Sequence, residues 1–191
     1  IIYILILKKE EKLFSNKKQV IIFIFIISLL FAIMLPILGS DIFYYIGDSW
    51  LSAKYGENPY YTTVYDLQQK GINDEILQTT GYWKNTTSVY GPIWNIIAKI
   101  LVSLSFGNVT AALYIFKIAN LAVHMLNCYM IYKVTQKNKY VLMYGLNPLV
   151  LSELLSNVHN DIYLIAMVLI ALYFLIKKKN VFIMAIFMSL S

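Results

Sequence analysis

An uncharged apolar stretch at residues 20–38 is the feature that most constrains what this chain can fold into. A helix needs about 20 consecutive, mostly apolar residues to cross the hydrocarbon core of a bilayer, and this stretch meets that length. The acid Asp41 follows soon after it, so the sequence predicts a carboxylate at a membrane surface. If Asp41 opens a helix, Asp48 lies two turns further along on the same face. Two carboxylates are therefore expected to face one pocket at the lipid boundary.

The composition places the chain among integral membrane proteins. Hydrophobic residues make up 59% of the sequence, and the mean hydropathy is +0.64. Such values are typical of membrane proteins and not of soluble domains. The chain begins with Ile and ends in an apolar run, residues 181–191, that is too short to cross a bilayer. We therefore expect residues 1–191 to be an N-terminal fragment of a single polytopic membrane domain.

The charge distribution predicts an orientation in the membrane. The net charge of +6 comes from lysine, because the chain contains no arginine. Without the bidentate guanidinium, phosphate contacts would depend on lysine or backbone amides, and nucleic-acid binding is not expected. Lysines cluster before residue 20 and again at residues 177–179, which is the distribution of cytoplasmic flanks. The sequence thus predicts a cytoplasmic N-terminal side and an outer loop over residues 39–91.

The outer loop and the later apolar segments complete the predicted architecture. The loop is rich in acids, tyrosine and tryptophan, a mixture suited to the headgroup layer, and residues 42–54 are expected to form a juxtamembrane helix. Further apolar segments cover residues 92–106, 109–134, 140–155, 162–176 and 181–191. Several are short for a full crossing, so residues 92–106 are either a span or an interfacial or re-entrant segment. The predicted fold class is all-α integral membrane: a polytopic helical bundle with a long outer loop containing juxtamembrane amphipathic helices.

Aromatic side chains accompany the two acids of the outer loop. They are Tyr44, Tyr45, Trp50 and Tyr60. Flat rings that also form hydrogen bonds are the walls that a sugar or isoprenoid-phosphate pocket needs. The simpler alternative is that Asp41 and Asp48 are helix-initiating or solvated acids at the end of a span.

A second polar group lies between apolar runs near the C-terminal end. It comprises Asn147-Pro148-Leu149, Glu153 and His159-Asn160-Asp161. Ionisable residues at membrane depth are costly and usually face a cavity or a partner, so Glu153, His159, Asn160 and Asp161 are candidate substrate-binding residues. The alternative is a polar turn between two helices. Side chains of these types also ligate divalent cations, so a cation is possible, although the sequence predicts no definite metal site or cofactor.

Two lysines interrupt the apolar segments. Lys99 and Lys117 have long flexible stems, so the expected behaviour is snorkelling to an interface. Contact with a donor phosphate from within the membrane is the alternative.

Taken in order, these features resemble GT-C-fold glycosyltransferases. The ordered set is Ser40-Asp41 with Tyr44-Tyr45, Gly56-Glu57-Asn58-Pro59-Tyr60, Tyr90-Gly91-Pro92-Ile93-Trp94, Asn147-Pro148-Leu149, Glu153 and His159-Asn160-Asp161. The resemblance spans about residues 20 to 176. It is nearest to the bacterial polyprenol-phosphate-mannose-dependent mannosyltransferases.

The resemblance implies a many-helix hexosyltransferase of the bacterial plasma membrane with an essential acid just after the first span, which Asp41 matches. Asp41 would act as general base on the acceptor hydroxyl, while the sugar is attacked with inversion and polyprenyl phosphate leaves. The implied partners are a polyprenyl-phosphate-linked mannose or other hexose, a glycan or lipid acceptor, and the lipid bilayer. Asp48 is the second catalytic candidate, and Tyr90 joins the substrate-binding residues.

Two other functions remain open. In a transporter or lipid flippase subunit, Glu153, His159 and Asp161 would form an ion or substrate path. An inactive fragment is the third possibility. Acids concentrated in a long outer loop favour the enzyme, whereas acids near the bilayer midplane favour the transporter.

Overall fold

The computed structural model describes residues 2–36 and 39–190, which form helices and, within these ranges, no strand. The elements in chain order are α1 (Ile2–Lys8), α2 (Glu10–Leu13), α3 (Lys17–Ile33), α4 (Asp41–Lys54), α5 (Val64–Gln69), α6 (Glu75–Gln78), a 3₁₀ helix (Gly81–Asn85), α7 (Pro92–Ser103), α8 (Val109–Thr135), α9 (Asn138–Gly145), a π-helical segment (Val150–Ser156), α10 (Asp161–Lys178) and α11 (Val181–Ser189). The all-α prediction is confirmed for these residues.

The chain divides into two compact units. The terminal unit comprises Ile1–Leu35 with Ala119–Ser191, and the central unit comprises Pro36–Ile118. The division falls within helix α8, whose first residues belong to the central unit and whose remaining residues belong to the terminal unit.

The central unit is built on the packing of α4 against α7. Proline in the first turn of α7 leaves no hydrogen bond unmade, because the first N–H groups of a helix have no intrahelical partner. One side of α7 is buried through Trp94, Ala98 and Val102, which recur every fourth residue. Helix α4 covers residues 41–54, in close agreement with the predicted 42–54, and Gly56 follows its end with a positive φ of 69°.

The first apolar stretch forms α3, with ends that differ from the prediction. The Asn16 side chain accepts a hydrogen bond from the Gln19 N–H at 3.1 Å, so the helix begins before residue 20. It ends at Ile33, ahead of Pro36, and helices usually end at or before the residue preceding a proline because that residue is disfavoured from helical geometry. The helix therefore differs at both ends from the predicted span of about residues 20–38, of which residues 37–38 lie outside the described residues. The 17 residues of α3 give a length of about 26 Å.

The predicted apolar segment 140–155 is not one helix. Helix α9 ends at Gly145, and a π-helical segment begins at Val150. Pro148 lies between them and has no N–H to continue a hydrogen-bond ladder, which explains the break. Gly145 packs closely, because a Cβ placed there would lie 2.8 Å from Cδ1 of Ile24. The core of α3, α8 and α9 depends on this approach.

Helix α8 is the one described helix that is long and apolar enough to cross a bilayer. The π-helical segment and α10 pass the same test together, but they are bent by 113° at the break between them. Helix α7 has 12 residues, or about 18 Å, and does not match a core of roughly 30 Å. Length and composition thus support one crossing, or two if the bent pair counts as one span. The polytopic bundle, its outer loop and the single membrane domain remain predictions.

The two lysines within apolar segments differ in exposure. Lys99 is exposed, but only 1% of Lys117 is accessible. Snorkelling to an interface is therefore the wrong description of Lys117, because its stem and head are both enclosed by protein.

Candidate functional site

Helix α4 positions both predicted catalytic acids. Asp41 is its first residue, where a carboxylate interacts favourably with the positive end of the helix dipole. Asp48 follows two turns later. Asp41 is half-buried, whereas Asp48 is 6% exposed. The two carboxylates therefore occupy different environments on the same helix.

Asp48 lines a small cavity of about 10 Å³ in the central unit. The lining residues are Tyr45, Asp48, Ser49, Ser52, Pro59, Tyr90, Trp94, Asn95 and Ala98. This volume holds about one water molecule, so a sugar ring does not fit there. Asp41 is not among the lining residues, and the expectation that both acids face one pocket is not met in this cavity.

Burial raises the pKa of the Asp48 carboxyl to about 7, and a hydrogen bond with the Ser88 side chain opposes that rise. Removal from water disfavours the charged form, which is why the carboxyl takes up a proton near neutral pH. The nearby Tyr44 hydroxyl has a raised pKa, mainly through burial and also through the charge of Asp48. The carboxyl of Asp48 is thus divided between its acid and base forms at neutral pH.

The structure brings four of the predicted tyrosines together. The ring centroids of Tyr45 and Tyr90 are 5.3 Å apart, and those of Tyr44 and Tyr90 are 6.1 Å apart. The Tyr60 hydroxyl donates to the Tyr90 carbonyl at 2.9 Å. Trp94 packs edge-on against Tyr45, with centroids 5.0 Å apart. Edge-to-face contacts of this kind stabilise the wall beside Asp48 beyond the burial of its area.

Trp50 lies outside this cluster. Its indole N–H donates to Asp74 at 3.0 Å, and Lys54 and Tyr55 donate to the same carboxylate oxygen at 2.8 and 2.7 Å. Burial acts to raise the pKa of Asp74, but these hydrogen bonds outweigh it and lower that pKa to about 2. Trp50 thus joins the end of α4 to the segment before α6 instead of forming the wall predicted for it.

The second polar group lies at the break before α10 in the terminal unit. Nε2 of His159 is 3.3 Å from Oε2 of Glu153, and the Asn157 amide donates to the same oxygen at 3.2 Å. The backbone N–H of His159 also donates to the Glu153 carbonyl at 3.0 Å. Asn160 precedes α10, and Asp161 is its exposed first residue. A groove of about 400 Å³ runs beside this group, lined by Leu149, Val150, Glu153, Leu154, His159, Asp161 and Ile165.

The possible cation site is not assembled. Among residues 2–36 and 39–190, no three His, Cys, Asp or Glu side chains are grouped as a metal ion requires. Glu153 and His159 are in contact, whereas Asp161, the exposed first residue of α10, lines the same groove without completing a group of three with them. Two ligands leave most of the coordination shell of a divalent cation unfilled.

Sequence reasoning missed residues on α7 and α8. Trp94 and Asn95 line the Asp48 cavity but were not among the predicted site residues, and the available signal was the motif Tyr90-Gly91-Pro92-Ile93-Trp94 at the start of α7. Asn120 and Asn127 are fully buried within the apolar helix α8. Polar residues at helical spacing in such a helix indicate an internal polar face, and this signal was also available.

The two asparagines bind the carbonyl groups around the break. Nδ2 of Asn120 donates to the carbonyls of Leu154 at 2.8 Å and of His159 at 3.2 Å. Nδ2 of Asn127 donates to the carbonyl of Ile162 at 3.1 Å and to the hydroxyl of Tyr144 at 2.9 Å. The carbonyls of Leu154 and His159, at the interruption, are thereby satisfied inside the protein, and Asn127 adds a hydrogen bond to the first turn of α10.

The chain belongs to the family described as alpha-(1->6)-mannopyranosyltransferase, N-terminal domain, whose model matches residues 4–191. No curated protein and no solved structure matches the chain. Family membership supports a glycosyltransferase that uses mannose, with a sugar donor and a glycan acceptor in general terms. The predicted resemblance is confirmed at the level of the mannosyltransferase family.

Proposed function

We propose that this protein transfers mannose from a polyprenyl-phosphate donor to a glycan or lipid acceptor on the outer face of the bacterial plasma membrane. Family membership supports the sugar. The proposed enzyme is of the GT-C type, with its N-terminal side in the cytoplasm and Asp41 as the catalytic base.

The observation that favours this chemistry is the placement of Asp41 on α4. Asp41 is half-buried at the first residue of the helix, so its carboxylate is accessible while the helix fixes its position. Asp48 is enclosed by Tyr45, Tyr90 and Trp94 and does not admit a sugar. Asp41 is therefore the better base, and Asp48 is assigned a supporting role in ordering the tyrosine wall.

In the proposed reaction, the carboxylate of Asp41 takes the proton of an acceptor hydroxyl as that oxygen attacks the anomeric carbon of mannose. The bond from the anomeric carbon to the phosphate oxygen breaks, and its electron pair leaves with polyprenyl phosphate. The anomeric configuration is inverted. A base contributes only if it lies within hydrogen-bond reach of the proton in the transition state.

A comparison of two mannose donors tests the proposed function. Membranes containing the full-length protein are supplied with radiolabelled mannose, either on polyprenyl phosphate or on a nucleotide, together with a mannose-containing glycan acceptor. The expected result is transfer from the lipid-linked donor after inhibition of any enzyme that interconverts the two donors. Transfer from the nucleotide sugar alone would contradict the proposal.

One observation favours the alternative of a transporter or lipid flippase subunit. The π-helical segment and α10 form a bent pair with Glu153 and His159 at the break, and interrupted helices of this kind bind ions in transporters. Ion-coupled uptake into vesicles without any mannose transfer would support that alternative. Asn160 and Asp161 would bind substrate in the glycosyltransferase and in the transporter alike.

A further inference from the structure

We propose that the groove beside the helix break binds an uncharged, sugar-bearing amphiphile. Its hydroxyl-rich head would lie at Glu153 and His159, and its alkyl chain would lie along Val150, Leu154 and Ile165. Such a glycolipid would be a substrate of the proposed mannosyl transfer, and in this respect the assignment rests on the proposed function. The groove is hereafter called the break groove.

The lining of the break groove divides into an apolar wall and a polar end. Val150, Leu154 and Ile165 supply the wall, while Glu153 and His159 supply the polar end. Its volume of about 400 Å³ is within the usual size of small-molecule sites. A ligand that satisfies both parts must itself have an apolar chain joined to a polar head.

The charges of the polar end argue against a phosphate head. Two carboxylates, Glu153 and Asp161, line the break groove, and its described lining residues include no lysine. A phosphate placed there would meet like charges, which is strongly unfavourable at a binding site. The donor's phosphate group is therefore not the group that this groove recognises.

The hydrogen bonds of Glu153 favour hydroxyl groups over an ammonium head. One of its carboxylate oxygens already accepts from the Asn157 amide at 3.2 Å and lies 3.3 Å from Nε2 of His159. These two contacts offset part of the negative charge of the Glu153 carboxylate, so a cation would bind there less strongly. A sugar hydroxyl is able to donate to the remaining carboxylate oxygen of Glu153.

The polar end is held in place before any ligand arrives. The amide of Asn120 bonds the carbonyls of Leu154, in the π-helical segment, and of His159, within the break itself. The backbone of His159 is also bonded to the carbonyl of Glu153. A site whose groups are already ordered loses less conformational entropy on binding.

Photo-crosslinking of three probes tests the assignment. The full-length protein in nanodiscs is irradiated with decyl β-glucoside, decyl phosphate or decylamine, each carrying the same diazirine on its alkyl chain. The glucoside should label peptides that contain residues 150–165, and its labelling should saturate with concentration. Labelling requires no mannose transfer, so it is measured independently of the proposed function.

Two substitutions with a matched control locate the bound probe. Ile165→Trp fills the groove and should reduce glucoside labelling at least tenfold, whereas Leu164→Trp on the same helix should leave it unchanged, because Leu164 does not line the groove and is 49% exposed. Glu153→Gln preserves the shape of the side chain. It should weaken the apparent affinity for the glucoside about tenfold, the usual loss for a hydrogen bond to a charged group.

Three results would overturn the assignment. The first is stronger labelling by decyl phosphate that Ile165→Trp removes, because the groove would then hold a phosphate. The second is stronger labelling by decylamine that Glu153→Gln removes, which would indicate a cation path. The third is unsaturated labelling by all three probes. Saturable glucoside labelling in a protein without mannose transfer would refute the proposed function and leave the binding site in place.

Discussion

Ionisation of the buried Asp48 should destabilise the central unit as the pH rises from 5 to 8. Burial raises the pKa of this carboxyl from an ordinary value of 3.8 to about 7 in the folded protein. Between these two values the folded state binds more protons than the unfolded state, so stability falls as pH rises. The stabilising contribution of the protonated form is complete below pH 4 and is lost by pH 8. Over the interval from pH 5 to 8, the change in the free energy of unfolding is about 2 to 3 kcal/mol.

Tryptophan fluorescence during denaturant unfolding measures this change. All three tryptophans, Trp50, Trp83 and Trp94, lie in the central unit, so the signal reports on that unit. Asp48→Asn cannot ionise and should make the stability nearly independent of pH between 5 and 8. Glu75→Gln, which replaces an exposed acid, should retain the wild-type slope.

A wild-type stability that is constant or increases between pH 5 and 8 would refute the reasoning, because a buried carboxyl must lose stability when it ionises. If the free energy of unfolding of Asp48→Asn fell with pH as steeply as that of the wild type, a group other than Asp48 would be responsible for the pH dependence. The chain's two histidines belong to the terminal unit, so the difference between wild type and variant isolates Asp48.

Two further substitutions test the packing that positions these residues. Gly47→Ala should destabilise the central unit by about 1 to 3 kcal/mol in the same unfolding assay, because the added Cβ overlaps the Thr80 methyl group. Gly91→Ala is the control, since open space surrounds that position, and an equal loss there would contradict the packing argument. Asn120→Leu leaves two carbonyls at the break without their amide donor, at a cost of about 1 to 3 kcal/mol for each. Hydrogen exchange should then accelerate in residues 154–160, and unchanged protection would show that Asn120 does not hold the break.

Local signals predicted helix α4 and part of its site. The acid at the start, the glycine after the end and the neighbouring tyrosines gave residues 42–54 as a helix, and the structure has Asp41–Lys54. Tyr44 and Tyr45 were predicted beside the acids from their nearness in sequence, which depends only on neighbouring residues. This information is present in any short window of the sequence.

Contacts between residues far apart in the sequence account for the features of the site that local signals did not predict. Trp50 was predicted to form a wall of the site, but its indole binds Asp74, which lies 24 residues further along. The enclosure of Asp48 depends on Tyr90 and Trp94, contributed by a loop and by α7. The break within residues 140–155 had a local signal in Pro148, whereas the hydrogen bonds of Asn120 to carbonyls at the break before α10 required contacts across the terminal unit. Partners so far apart in sequence cannot be paired by periodicity.

Turnover by an Asp41→Asn variant tests the central claim most directly. Membranes carrying the full-length wild type or the variant receive a labelled polyprenyl-phosphate mannose, and the release of polyprenyl phosphate is measured. General-base catalysis is worth about 10²- to 10⁴-fold, so turnover by Asp41→Asn should fall by that factor while donor binding is retained. Asp48→Asn should lose less, and Glu75→Gln should match the wild type. Near-normal turnover by Asp41→Asn would contradict the account and remove Asp41 as the base.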